Sequence, residues 1–299
     1  TGHARSYDEL LLLRALMGVS EAFYIPAALA LIAEFHPGGT RTRAVGVHQT
    51  GIYAGMFLGG VGGFFAESGS WRDGFTLFGV VGVVYAGVLV FALREPPRPV
   101  RTEHRPEDDG FAALAREPAF WLLVLYFTLP AVAGWGVRNW LPTHLRETFG
   151  LTQGAAGMWA TGPTTLGMVA GAVGGGAASD WWGRRAGRGR FYASAVGTTI
   201  CAAALAAAAV AGSLPATVAA VFLFGVGWGL FDANNMPILC QIAGPGARAT
   251  GYGVMNFVST LTGAAATQGF GLMKDAEVGL SVAFGVSAGV ALASVALIL

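Results

Sequence analysis

The stretch GAASDWWGRR, residues 176–185, lies between two long apolar runs, and its reading decides the fold. It has the make-up of a tight cationic turn joining two membrane-spanning helices. Gly176 permits close backbone approach, and Asp180 is placed to accept hydrogen bonds from amides at a neighbouring helix end. Gly183 opens the turn, and Arg184 and Arg185 hold it on the cytoplasmic side.

The composition around that turn agrees with it. Hydrophobic residues make up 54% of the 299-residue chain, charged residues only 12%, and the mean hydropathy is +0.57. Ordinary soluble domains carry about a quarter of their residues as charges, so the expected solvent is a lipid bilayer. A spanning helix needs roughly 20 mostly apolar residues, and about nine candidates meet that length. They are 10–33, 45–65, 75–93, 120–141, 155–178, 192–211, 216–239, 252–272 and 280–299. The runs are continuous and not alternating, which favours helices over a barrel. The expected class is therefore an all-α membrane protein.

Arginines gather in every second connection: Arg41 and Arg43; Arg94, Arg98, Arg101, Arg105 and Arg116; Arg184, Arg185, Arg188 and Arg190; Arg248. The connections between them hold few cations, so the arginine-rich loops are assigned to the cytoplasm. The alternation puts the N-terminus outside and the C-terminus inside, and the chain reads as part of a larger transporter. Pro96, Pro97 and Pro99, with the mixed charges that follow, mark a cytoplasmic linker over 94–117. It divides a three-span segment, 1–93, from a six-span segment, 118–299.

An internal repeat supports the same division. GVSEAFYIP at 18–26 has the form of GLFDANNMP at 229–237: glycine, an acid three residues on, alanine, and proline at the ninth position. Each is followed by an Arg-Ala pair, Arg43 with Ala44 and Arg248 with Ala249, and then a span rich in small residues. The first and seventh spans thus correspond, as in transporters built from two similar halves. Small residues also recur every fourth position, at Gly51, Gly55, Gly59 and Gly63, at Ser259, Gly263, Thr267 and Gly271, and at Gly167, Gly171 and Gly175. Such stripes let helices approach closely, either as static packing or as sliding surfaces. The spans at 192–211 and 280–299 have few polar groups and are expected to be peripheral and lipid-facing.

The loop at 176–185 resembles the signature G-x-x-x-D-R/K-x-G-R/K-R/K of the major facilitator superfamily, with Trp181 at the first cationic position. The resemblance implies two six-helix halves, of which this chain carries helices four to twelve, and a gating role for Asp180, Gly183, Arg184 and Arg185. The segment GIYAGMFLGG at 51–60 is similar to a motif of drug:proton antiporters, with Met56 at the proline position. WRDGF, REPPR and WLPTHL resemble junctions of the sugar-phosphate and organic-anion symporter branches, and REPPR with RALMGVSEA is similar to the spinster branch. In the phosphate-exchanging branch an arginine stands six residues before the tryptophan matched by Trp140; here that position is Gly134, which disfavours phosphate-ester exchange.

Ionisable side chains inside a span cost about 2.5–3.5 kcal/mol each and normally face a cavity or a partner. Arg14, Gly18 and Glu21 share one face of the first span, with Tyr24 a turn further. Arg14 is read as an anion anchor and Glu21 as a proton-coupling acid, the alternative being a structural pair. Asp232 and Asn235 in the seventh span, with Asn256 from the next, form a second polar cluster suited to hydroxyl or carboxylate oxygens. Gln49 and Tyr53 share a face after the first cytoplasmic loop, beside His48, and complete the expected binding set. Arg138 and Asn139, just before WLPTHL, complete the candidate list, with Arg138 near the outer surface, the alternative being a side chain that simply snorkels. Cys201 and Cys240 have no metal-ligand spacing and are expected as buried free thiols.

No phosphate-binding loop, nucleophile–base pair or metal-ligand cluster occurs, so no catalysis and no cofactor are expected, and nothing points to nucleic acid. The expected function is secondary active transport at the plasma (inner) membrane as a multi-pass protein. The solute is a small organic anion such as a sugar acid or carboxylate, moved in symport with a proton. Two alternatives stay open: a proton-driven exporter of amphipathic compounds, and a transporter-like solute receptor.

Overall fold

A computed structural model describes residues 1–36, 41–93, 110–185, 188–244 and 247–299, and their regular structure is helical throughout. Two compact units are present: Thr1–His104 with Gln153–Gly157, and Arg105–Thr152 with Met158–Leu299. The prolines and most of the charges of the expected linker, 94–109, lie outside the described residues.

In the first unit, helix α1 (Tyr7–Phe35) begins ahead of the expected position 10 because a capping box starts it. Ser6 Oγ accepts from the Glu9 N–H at 3.1 Å, and the Glu9 carboxylate accepts from the Arg5 N–H at 2.9 Å. The second expected span is split into α2 (Arg41–Gly59) and α3 (Gly62–Glu67). Glycines at 59, 60, 62 and 63 cause the break, since each costs about 1 kcal/mol relative to alanine inside a helix. The turn is closed by tighter bonds from Gly60 N–H to the Phe57 carbonyl and from Val61 N–H to the Leu58 carbonyl. Helix α4 (Trp71–Ala92) follows. Its Arg72 donates to the Ala4 carbonyl at 3.0 Å and lies 4.3 Å over the Trp71 ring, which ties the first residues of the chain to the start of this helix. Beyond that point Val83, Val90 and Phe91 are exposed, an apolar surface suited to lipid.

The second unit starts with α5 (Gly110–Arg116), so the end of the expected linker is helical. The next span is a composite of α6 (Pro118–Ala131), a π-helical segment Val132–Val137 and α7 (Arg138–Phe149). Pro130 lacks the amide that would continue the α ladder, and Gly134 and Gly136 relax the backbone into the wider π form. Then come α8 (Gln153–Arg185), α9 (Gly189–Val210), α10 (Leu214–Ile242), α11 (Arg248–Asp275) and α12 (Leu280–Val295). Residues 153–157 of α8 are the part grouped with the first unit. The core of the second unit joins α6, α10 and α11 through Phe120, Leu123, Tyr126, Phe127, Phe231, Ile238, Leu239 and Met255.

Helix α10 is held by its glycines on two sides. A Cβ at Gly225 or Gly229, which share a face, would meet the backbone of α8 at Thr164 or Met168, and Gly167 and Gly171 answer them from α8 against Phe222 and Val226. Gly227 points the other way, where it and Gly197 of α9 exclude any side chain from each other's place. The stripe on α11 packs as well: Gly263 lies against Trp135 and Gly271 against Trp140, whose indole N–H donates to the Thr267 carbonyl at 2.9 Å. These two stripes are packing surfaces inside the second unit. The first differs, for a methyl group added at Gly51, Gly55 or Gly59 would meet nothing within 4 Å, and Gly63 alone approaches another backbone, at Gln153.

Three expectations are corrected. The signature at 176–185 is not a loop, because α8 stays helical to Arg185; tryptophan and arginine are at home in the membrane interface, so a helix leaving the bilayer can continue there. Close approach belongs to Gly175, against Leu230, whereas Gly176 has nothing within 4 Å. The side chains of Asp180, Gly183, Arg184 and Arg185 lie outside the described residues. Helices α9 and α12 are two-faced and not simply lipid-facing. Ser194, Thr198, Ala283 and Phe284 are buried, while Val196, Val210, Val282 and Val286 are exposed. Cys201 is buried, but Cys240 is only half-buried; both thiols are free.

Four helical segments among the described residues are long and apolar enough to cross a membrane: Trp71–Ala92, Pro118–Phe149, Gly189–Val210 and Leu214–Ile242. The remaining expected spans are helical too, but α8 and α11 are diluted by glycine, serine and threonine, and α12 is short.

Candidate functional site

Helix α10 runs through the core of the second unit, and its buried face is fixed by Phe231, Ile238 and Leu239. That fixes the polar face as well. Asp232 is exposed, whereas Asn234 and Asn235 are buried. Asn234 Nδ2 donates to the Leu230 carbonyl of its own helix at 2.8 Å and so plays a local part. Asn235 Nδ2 donates to Asp232 Oδ1 at 3.4 Å, and Asn235 Oδ1 has no partner among the described residues.

Arg138, the first residue of α7, lies within electrostatic range of the Asp232 carboxylate, and the Tyr252 hydroxyl of α11 does so as well. The sequence reading carried Arg138 as a candidate near the outer surface but did not join it to Asp232. Arg138 stands well inside the segment Pro118–Phe149, directly after the π-helical turn, and it packs 5.8 Å from the Trp135 ring centroid. The pairing of Arg138 with Asp232 could have been sought in the sequence, since a cation and an acid in separate apolar spans each need a counterpart. Asn139, next to it, donates to Thr267 Oγ1 at 3.1 Å and joins α7 to α11. Asn256 is exposed one turn beyond Tyr252 on the same face of α11.

Aromatic side chains pack beside this cluster. Phe127 stacks on Phe231 with centroids 5.8 Å apart and contacts Tyr252 at 6.2 Å. Tyr126 is fully buried, and its hydroxyl is bonded to Ser194 Oγ at 2.7 Å and Thr198 Oγ1 at 2.9 Å. Trp228 covers Gly134 so closely that no side chain fits at that position.

In the first unit, Arg14, Glu21 and Tyr24 are exposed along α1, and no ion pair joins Arg14 to Glu21 among the described residues. Tyr24 instead meets His48 of α2: its hydroxyl lies 3.1 Å from His48 Nε2, and the rings stack with centroids 5.6 Å apart. His48 Nδ1 has no partner among the described residues. Gln49 and Tyr53 are half-buried on the same helix. Ionisable and amide groups thus stand at accessible positions on helices whose other faces are apolar. Such groups are costly against lipid, so these faces suit water or a polar solute.

The family profile of the Major Facilitator Superfamily matches residues 3–267. Human protein spinster homolog 1 is 32% identical over 146 residues, covering 46% of this chain and 28% of that protein. Multidrug resistance protein 1 of Bacillus subtilis (strain 168) is 27% identical over 170 residues, covering 56% and 43%. The D-galactonate transporter of Escherichia coli O6:H1 is 28% identical over 194 residues, covering 56% and 45%. The matched stretches thus span less than half the length of these relatives. The crystal structure of a bacterial homologue of the human lysosomal transporter Spinster, inward-facing and unoccupied, superimposes with a TM-score of 0.73 at 21% identity. It covers 99% of this chain and 76% of that one.

Proposed function

Because this chain belongs to the Major Facilitator Superfamily, we propose that it works as part of a secondary active transporter that moves a small organic anion, such as a sugar acid or carboxylate, in symport with a proton. The observation that carries this reading is the set of charged groups kept accessible on apolar helices, Arg14 and Glu21 on α1 and Asp232 on α10, with the buried amide of Asn235 beside Asp232. Arg14 anchors the anionic group and Glu21 takes up the coupling proton. Tyr24, Gln49, Tyr53, Asp232, Asn235 and Asn256 bind the solute. Similarity to a D-galactonate transporter supports a hydroxylated anion as substrate.

Residues 1–93 are then a portion of the N-terminal half, 94–117 the cytoplasmic linker and 118–299 the C-terminal six-helix half. The arginine-rich connections face the cytoplasm, and the membrane is the plasma (inner) membrane. Asp180, Gly183, Arg184 and Arg185 gate the cytoplasmic side.

Similarity to a multidrug resistance protein favours a second reading, proton-driven export of amphipathic compounds. Counterflow in proteoliposomes carrying the intact protein separates the two. Exchange of labelled sugar acid for unlabelled sugar acid supports the anion carrier. Exchange of amphipathic compounds with no exchange of acids supports the exporter, and binding without any exchange points to a receptor.

A further inference from the structure

We propose that Asn235 reads a hydroxyl group of the solute: its side-chain oxygen is an unfilled acceptor that the bound substrate completes. This rests on the anion-carrier reading above and adds to it that a hydroxylated anion is preferred to its deoxy analogue.

Asn235 is 0% exposed. Its amide nitrogen is committed to Asp232 at 3.4 Å, and this fixes which way the amide is turned, for the opposite orientation would set its oxygen against a carboxylate. Asn235 Oδ1 is therefore the atom left over, buried and without a donor among the described residues. Asn234 is as deeply buried, at 1%, but it bonds to its own helix and leaves no such atom.

A buried acceptor without a donor is destabilising. Relief of that cost on binding goes only to a solute that brings an O–H or N–H to this position. The Asp232 carboxylate beside it is also an acceptor, so the two together suit the hydroxyl-bearing end of a solute and not its carboxylate. Arg138 within electrostatic range of Asp232 offsets the acid's charge, so the patch does not repel an anion outright. A solute that brings the donor gains this relief and its deoxy analogue does not, so the two should bind with different affinity.

The test is equilibrium binding of D-gluconate and its singly deoxygenated analogues to the intact wild-type protein, then to Asn235→Leu and, as a control, Asn234→Leu. At least one deoxy analogue should bind the wild type about tenfold or more weakly than gluconate. Asn235→Leu should bring that ratio close to one, while Asn234→Leu leaves it unchanged. Asn235→Ser serves where Asn235→Leu is not recovered, and the wild-type series needs no variant at all. Equal binding of gluconate and every deoxy analogue overturns this inference alone, as does a ratio that survives removal of Asn235. Binding of none of the acids overturns the anion-carrier reading and this inference together.

Discussion

The indole of Trp228 on α10 occupies the space beside Gly134 where a Cβ would stand. It locks α10 to the π-helical turn just before Arg138, so the position of that arginine relative to Asp232 depends on a contact that only glycine allows. Gly134→Ala should cost about 1–3 kcal/mol through overpacking. The check is thermal unfolding in detergent: the midpoint should fall by several degrees and recover in part in the double variant with Trp228→Leu. An unchanged midpoint would contradict the packing described.

Glycines on different helices should differ in their tolerance. Gly171→Ala and Gly229→Ala push a methyl group into the facing backbone of α10 or α8, and each should destabilise by about 1–3 kcal/mol. Gly55→Ala has nothing within 4 Å and should leave folding unharmed or improve it slightly, because alanine favours the helix. Monodisperse yield on size-exclusion chromatography after heating ranks the three.

Much of this was legible in the sequence, and the misses have physical causes. Continuous apolar runs predicted the helices, because backbone amides in lipid must be satisfied within the segment. Boundaries moved where polar chemistry acts: the Ser6–Glu9 capping box extends α1, and four clustered glycines break the second span. Asp232 and Asn235 were found as a pair because three-residue spacing puts them on one helix face. Arg138 was not joined to them, nor Tyr24 to His48, because contacts between helices have no fixed spacing along the chain.

Tyr126→Phe removes a hydroxyl bonded to Ser194 and Thr198 in a fully buried place. The two smaller hydroxyls can turn to each other or to their own helix, so the loss should be moderate, about 1–2 kcal/mol. Denaturant unfolding in detergent measures it. A neutral result would mean that α9 is not fastened to α6 by this network.

Lys274 on α11 and Glu147 on α7 form an ion pair at 2.5 Å with both side chains partly exposed. Pairs of this kind contribute about 0–1 kcal/mol, so Glu147→Gln should shift the unfolding midpoint very little. A large loss would assign the pair a role beyond surface electrostatics.

Arg14→Gln should raise the apparent substrate constant for anions steeply, and Arg14→Lys should do so less, because ammonium keeps the charge but not the forked geometry. Neutral solutes, if carried, should be unaffected. An equal loss for neutral and anionic solutes would make Arg14 structural.

The most direct measurement is uptake of labelled sugar acids and carboxylates by proteoliposomes carrying the intact protein, under an imposed inward proton gradient, for the wild type and Glu21→Gln. The account predicts accumulation above equilibrium that collapses with a protonophore. Glu21→Gln should lose that accumulation while keeping counterflow. Accumulation that ignores the proton gradient, or that is unchanged in Glu21→Gln, would contradict proton coupling through this residue.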